Sequence, residues 1–169
     1  MTDALYLQDA YRQSAPALVA AHTPEGGIVL DATLFYPTSG GQPGDSGQIS
    51  WPGGTLEIAT TVKTADGHAV LVPATAGQMP PPGTEITQTI DWDRRFAHMR
   101  VHTALHLLSV AVPLPVTGGS ISAGKGRLDF NMPDAAVDKA VRLQVLYLLT
   151  QGDNLFPVQQ LGRVEPDQG

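Results

Sequence analysis

Asp91–Val112 reads DWDRRFAHMRVHTALHLLSVAV, the one long helical pattern in the chain. Val101, Ala104, Leu105, Leu108, Ala111 and Val112 recur at three- and four-residue steps, so a helix places them on one face. Asp91 or Asp93 can cap its start, where a side-chain oxygen takes up backbone N–H groups that have no helical partner. Pro113 and Pro115 stop it, because proline has no N–H to continue the ladder. Beside the apolar face runs a second stripe: His98, His102, His106 and Ser109. Three of the five histidines thus fall at successive turns along one line.

Outward from this helix the character of the chain differs on the two sides. On the N-terminal side, Ile28–Phe35 (IVLDATLF), Leu56–Val62, Ala69–Val72 and Glu85–Ile90 read as strands. Gly26-Gly27, Trp51-Pro52-Gly53-Gly54 and Asp66-Gly67 are turn signals around them. Short strands punctuated by glycine and proline predict a small barrel or sandwich over residues 1–90. On the C-terminal side, Val116–Met132 predicts a hairpin, Asp134–Gln151 a second helix and Leu155–Leu161 a strand. Pro157 confines that strand to an edge or a strand end. The fold class expected is α+β, with an N-terminal β domain over 1–90 and an α+β domain over 91–169.

Composition narrows the function classes. No apolar run approaches the roughly 20 residues of a membrane span, and the N-terminus lacks the basic start and apolar stretch of a secretory signal. A cytoplasmic protein is expected. Without cysteine there is neither a disulfide nor a thiolate metal site. The net charge is −6, unevenly spread: residues 1–90 hold only Arg12 and Lys63 against eight acids, whereas residues 91–169 hold eight of each sign. An anionic partner therefore belongs with the second part, although the chain as a whole lacks the basic surface typical of nucleic-acid binding.

Several constellations carry chemistry. His102 and His106 form H-x-x-x-H on a helix, which can bring two ring nitrogens to one zinc ion. The alternative is a pair of partly buried histidines flanking a core. Thr103 stands where zinc proteases carry their glutamate base, which excludes that activity. His98 and His106 lie about 12 Å apart along the axis, so at most one adjacent pair shares an ion. Asp31–Gly47 runs from a strand into a loop with Gly40, Gly41, Gly44 and Gly47. Such glycines permit positive φ and close approach to backbone N–H groups, and Gln42 adds an amide donor and acceptor. Read plainly, this is a tight inter-strand loop. Gly119–Lys125 satisfies G-x-x-x-x-G-K, but Gly126 replaces the Ser or Thr that would hold magnesium, and the residues after it alternate like a strand. Lys125 and Arg127 are left as possible phosphate contacts or as an exposed basic hairpin tip. Arg94, Arg95 and Arg100 add positive charge to the long helix. The first two sit in its first turn, where cations oppose the helix dipole. That penalty hints at an internal carboxylate or a phosphate.

Taken together, these residues resemble a known family. Phe35–Gly47 (FYPTSGGQPGDSG) looks like its glycine-rich signature, and Asp91-Trp92-x-Arg94-Arg95 with Met99-Arg100-x-His102-Thr103-Ala104-Leu105-His106 looks like its zinc helix. Gly118-Gly119-Ser120 through Arg127-Leu128-Asp129-Phe130 resembles its following hairpin. The family is the editing domain of alanyl-tRNA synthetase with its free-standing relatives, the AlaX-type trans-editing proteins. The resemblance implies a small N-terminal β-barrel like those of translation factors, followed by an α+β editing domain. It implies a zinc-dependent deacylase that acts in trans on alanine tRNA mischarged with serine or glycine. His102 and His106 match metal ligands, Thr103 matches a residue recognising the small side chain, and Gln42, Gly40 and Gly41 match the loop at the editing pocket. Arg100, Lys125 and Arg127 are the expected substrate contacts. The family draws its remaining zinc ligands from a later C-x-x-x-H segment. This chain has no cysteine and no histidine after His106, so a C-terminally incomplete chain is expected. A non-catalytic module that holds RNA or a translation partner, with no complete metal site, is the competing reading.

Overall fold

A computed structural model describes residues 2–131. The chain divides into two compact units, Met1–Phe96 and Ala97–Gly169.

The first unit opens with β1 (Asp3–Ala4), a single helical turn α1 (Leu5–Gln8), β2 (Ser14–His22), β3 (Ile28–Leu30) and β4 (Ala32–Thr33). It continues with β5 (Gly47–Trp51), β6 (Gly54–Lys63), β7 (Ala69–Pro73) and β8 (Glu85–Ile90). Six of these strands close a barrel in the order β2-β3-β7-β6-β5-β8, with β8 pairing back onto β2. All its pairings are antiparallel. Closure removes free sheet edges. Alternation along the strands fills the interior, since successive side chains point to opposite faces. Ala15, Ala17 and Val19 of β2, Leu56 and Ile58 of β6, and Ile86 and Ile90 of β8 point inward, joined by Ile28, Leu30, Ile49 and Leu71. The barrel expected from the sequence is present.

The expected strand Ile28–Phe35 is not continuous. It breaks at Asp31, whose carboxylate accepts the backbone N–H of Leu18 at 2.8 Å and of Ala32 at 2.7 Å. Two short pieces result, and the second, β4, leaves the barrel to pair in parallel with β1. Leu34 and Phe35 are buried without being in a strand. Their segment is held by Gln88, the one polar inward residue of β8. Its amide accepts Leu34 N–H at 2.8 Å and donates to the Ala32 carbonyl at 3.0 Å. A side chain here takes the place of a neighbouring strand, and it leads the chain out towards the glycine-rich segment.

Helix α2 (Trp92–Ala111) starts in the first unit and runs on into the second. In the second unit, β9 (Val116–Ser122) and β10 (Lys125–Phe130) form an antiparallel hairpin. Its turn holds Gly124 at φ 73°. Gly126 lies on the apolar face of α2: a Cβ added there would stand 2.7 Å from Val101 Cγ1 and 3.0 Å from Leu105 Cδ2. This disposes of the phosphate-loop match, because Lys125 opens a strand where a helix would be needed. The expected helix Asp134–Gln151 and strand Leu155–Leu161 lie outside the described residues. Among the described residues no helix is long and apolar enough to cross a membrane.

Leu71 is fully buried on β7. The Leu71→Ala substitution is expected to destabilise the barrel by about 2–5 kcal/mol through lost burial and the cavity left behind, read from the shift in a urea unfolding curve.

Candidate functional site

The glycine-rich segment is a pinned hairpin inside the first unit. At its tip Ser39 and Gln42 exchange backbone hydrogen bonds, 3.1 Å from Ser39 N–H and 2.9 Å from Gln42 N–H. The two residues between them, Gly40 and Gly41, have φ of 57° and 76°. A two-residue turn with both centres left-handed is the arrangement that glycine permits and other residues resist. Both glycines are exposed, while the Gln42 side chain is buried, at 4% exposure. Below the tip, Thr38 Oγ1 accepts Gly44 N–H at 2.9 Å, and Thr38 N–H donates to the Thr61 carbonyl at 2.9 Å. A Cβ on Gly44 would run into the backbone of Thr61, so this position has room only for glycine.

The base of the hairpin is closed by Asp45. Its N–H donates to the Tyr36 carbonyl at 2.9 Å, and its carboxylate accepts Tyr36 N–H at 2.7 Å. The same carboxylate takes the fork of Arg95, from Nε at 2.9 and 2.7 Å and from a terminal nitrogen as well. That terminal nitrogen also donates to the Leu34 carbonyl at 2.7 Å. Arg95 and Asp45 are 3% and 1% exposed. Arg94 donates to the Gly44 carbonyl at 2.8 Å and to Ser46 Oγ at 3.3 Å. Of the two possible caps, Asp91 is the one used: its carboxylate accepts Arg94 N–H at 3.2 Å. Of the two cations in the first helical turn, Arg95 thus has its carboxylate, while Arg94 is held by a carbonyl and a hydroxyl. The sequence reading did not identify Asp45 as that partner. The available signal was an acid inside a glycine run combined with two arginines set against a helix dipole.

In the second unit, the imidazoles of His102 and His106 stack with centroids 4.9 Å apart and planes 15° apart. His102 is half-buried and His106 exposed. Burial, followed by the neighbouring His106, holds the His102 pKa below its ordinary value of 6.5. That favours the neutral ring, the form that ligates metals. His98 is buried, at 2% exposure. Thr103 is exposed, and its hydroxyl donates to the Met99 carbonyl at 3.0 Å. Its oxygen lone pairs remain available to accept a hydrogen bond. Arg100 is half-buried on the same helix. Lys125 and Arg127 are exposed on β10, and Arg127 pairs with Asp129 at 3.1 Å. The structure therefore assembles Gly40, Gly41 and Gln42 in one unit. It assembles Arg100, His102, Thr103 and His106 on one helix of the other, with Lys125 and Arg127 together on its hairpin. The two imidazoles fit as two nitrogen donors of a zinc ion. Among the described residues no group of three or more histidine or acidic side chains forms a metal site. A cleft of about 940 Å³ on the barrel, lined by Leu18, Asp31, Trp51 and Glu85 among others, contains none of the candidate site residues Gly40, Gly41, Gln42, Arg100, His102, Thr103, His106, Lys125 and Arg127.

Residues 8–94 match the family described as tRNA synthetases class II (A). The chain is 35% identical over 155 residues to alanyl-tRNA editing protein AlaX-M of Methanosarcina acetivorans, covering 82% of this chain and 60% of that protein. It is 36% identical over 144 residues to AlaX-M of Pyrococcus horikoshii, covering 79% and 62%. Against alanine–tRNA ligase of Pyrobaculum arsenaticum it is 39% identical over 107 residues, which are 63% of this chain and 12% of that enzyme. The chain thus spans about three fifths of the length of these AlaX-M relatives.

A histidine held below its unfolded pKa takes up its proton later than the unfolded chain does, so its contribution lowers stability as pH falls through 6.5 towards the folded pKa. An NMR titration of the metal-free protein is expected to place the His102 midpoint below 6.5, and His106→Gln is expected to raise it. A midpoint at or above the ordinary value would contradict the burial seen here.

Proposed function

We propose, from the premise that this chain belongs to the class II (A) tRNA synthetase family, that it hydrolyses the ester of alanine tRNA mischarged with serine or glycine, acting in trans and with zinc. In that reaction a water oxygen bonds to the acyl carbon, the ester C–O bond to the ribose breaks, and the ribose oxygen takes up a proton. His102 and His106 would hold the ion as two of its ligands. Zinc, when bound, supplies a Lewis acid that polarises the ester carbonyl or lowers the pKa of the attacking water.

The chain's own residues do the recognition. Thr103 has committed its hydroxyl proton to the Met99 carbonyl, so its oxygen meets the substrate as an acceptor. Serine offers a hydroxyl to it, whereas the methyl of correctly charged alanine would leave it unpaired, a polar distinction that binding can exploit. Gln42, fixed by burial behind the Gly40-Gly41 tip, orients the ester, and the tip glycines leave backbone N–H groups open to approach. Arg100, Lys125 and Arg127 face the phosphates of the acceptor end. The observation that carries this reading is the stacked His102–His106 pair flanking an exposed Thr103 on α2. Similarity to proteins named for alanyl-tRNA editing supports it.

The test is release of serine and glycine from mischarged alanine tRNA with zinc present. His102→Ala is expected to lower both zinc content, read by metal analysis, and rate. Thr103→Val should slow release of serine by about tenfold, the scale of one lost hydrogen bond, and release of glycine by less. No release by the zinc-loaded protein would leave a binding module as the better account.

A further inference from the structure

From the geometry at the base of the glycine-rich hairpin, we infer that Arg95 and Asp45 are positioning residues for Gln42. Their buried ion pair sets where the hairpin tip stands. The inference rests on the reading that Gln42 orients the acyl group, but its structural half stands independently of that reading.

The argument turns on what the pair joins. Arg95 reaches the hairpin on both sides: the Leu34 carbonyl before it and the Asp45 carboxylate at its return. Asp45 in turn closes the rungs at Tyr36, and its own carbonyl accepts Thr61 Oγ1 at 3.0 Å from the barrel wall. The Tyr36 ring lies beneath the guanidinium, 6.0 Å from its centre. Hairpin, barrel wall and first turn of α2 therefore meet at one residue, Asp45: the wall at its backbone carbonyl, the hairpin and the helix at its carboxylate. A planar guanidinium that makes two parallel bonds to it fixes direction as well as distance, which an ammonium cannot do. Gln42 follows on the return arm, three residues before Asp45, and touches neither partner through its tip hydrogen bonds to Ser39. The hairpin frame, closed at Tyr36 and Asp45, is the path by which the pair acts on the tip.

A pair that served stability alone would behave differently. Replacing both members of a buried ion pair with apolar side chains is often neutral or stabilising, so the double variant Arg95→Met with Asp45→Leu can separate the two roles. Folding is checked by thermal melting. Backbone exchange is then read at Ser39 and Gln42, with the amides of β2 as the internal reference. With positioning, tip exchange rises by about tenfold or more while β2 is unchanged. In deacylation, kcat falls by about 10- to 100-fold, as expected for misplacement of about 1 Å, and KM stays within about threefold of wild type. Arg95→Lys keeps the charge and loses the fork, so it should show the same direction at smaller size. It also serves where the double variant does not fold. Wild-type exchange at Ser39 and Gln42 in either folded variant would overturn the inference. If the wild-type protein releases neither amino acid, the deacylase reading fails separately, and tip exchange still decides whether the pair positions Gln42.

Discussion

Arg95 and Asp45 meet where water does not reach, and the constraint they impose runs through the whole first unit. Taking two charges out of water costs several kcal/mol each before their attraction offsets any of it. The carboxylate offsets that cost by using its oxygens fully, accepting both the arginine fork and a backbone N–H. The guanidinium does likewise with a carbonyl. An apolar pair of the same volume would bury as well, yet it would not specify direction. Placing such a pair under a glycine-rich turn sets the return of the hairpin in one register. The neighbouring Gly44, which has no room for a side chain against Thr61, is held to the same register by sterics.

Much of this architecture was legible in the residues because it is local. Helix α2 ends one residue before the expected Val112, since its apolar spacing and flanking prolines are properties of a short window. The hairpin β9–β10 was readable for the same reason. Strands β2 and β5 were not singled out. Ser14–His22 is rich in alanine and carries Pro16, and Gly47–Trp51 is only five residues long. Both owe their state to partners on either side in the barrel, which no local window contains. Ile28–Phe35 misled in the opposite sense. Its composition favours a strand throughout, but Asp31 takes up two backbone N–H groups and Gln88 holds the segment beyond it from across the barrel.

The candidate site divides along the same line. The H-x-x-x-H spacing shows in sequence because helix periodicity alone brings His102 and His106 to the same side, and the stacked rings follow from it. The left-handed pair Gly40-Gly41 was likewise readable as a turn. What could not be read was that Gln42 would be buried, or that the unfavourable charge of Arg95 in the first helical turn would be met by Asp45, fifty positions earlier. A local energetic penalty was visible, but its compensation was a matter of tertiary contact.

Charge then limits how a polyanion can be held. Residues 1–96 carry four basic against ten acidic side chains, whereas residues 97–169 are balanced at six of each. In the first unit, Arg94 and Arg95 are engaged with the hairpin and are no longer placed to face phosphate. Any phosphate contact therefore falls mainly to the second unit, whose described basic residues are Arg100, Lys125 and Arg127. Each neutralised phosphate adds to the salt dependence of binding, so a surface this sparse in cations gains little non-specific affinity. Under the proposed function, recognition then rests on polar side chains more than on charge, with Thr103 the exposed hydroxyl that α2 offers for it.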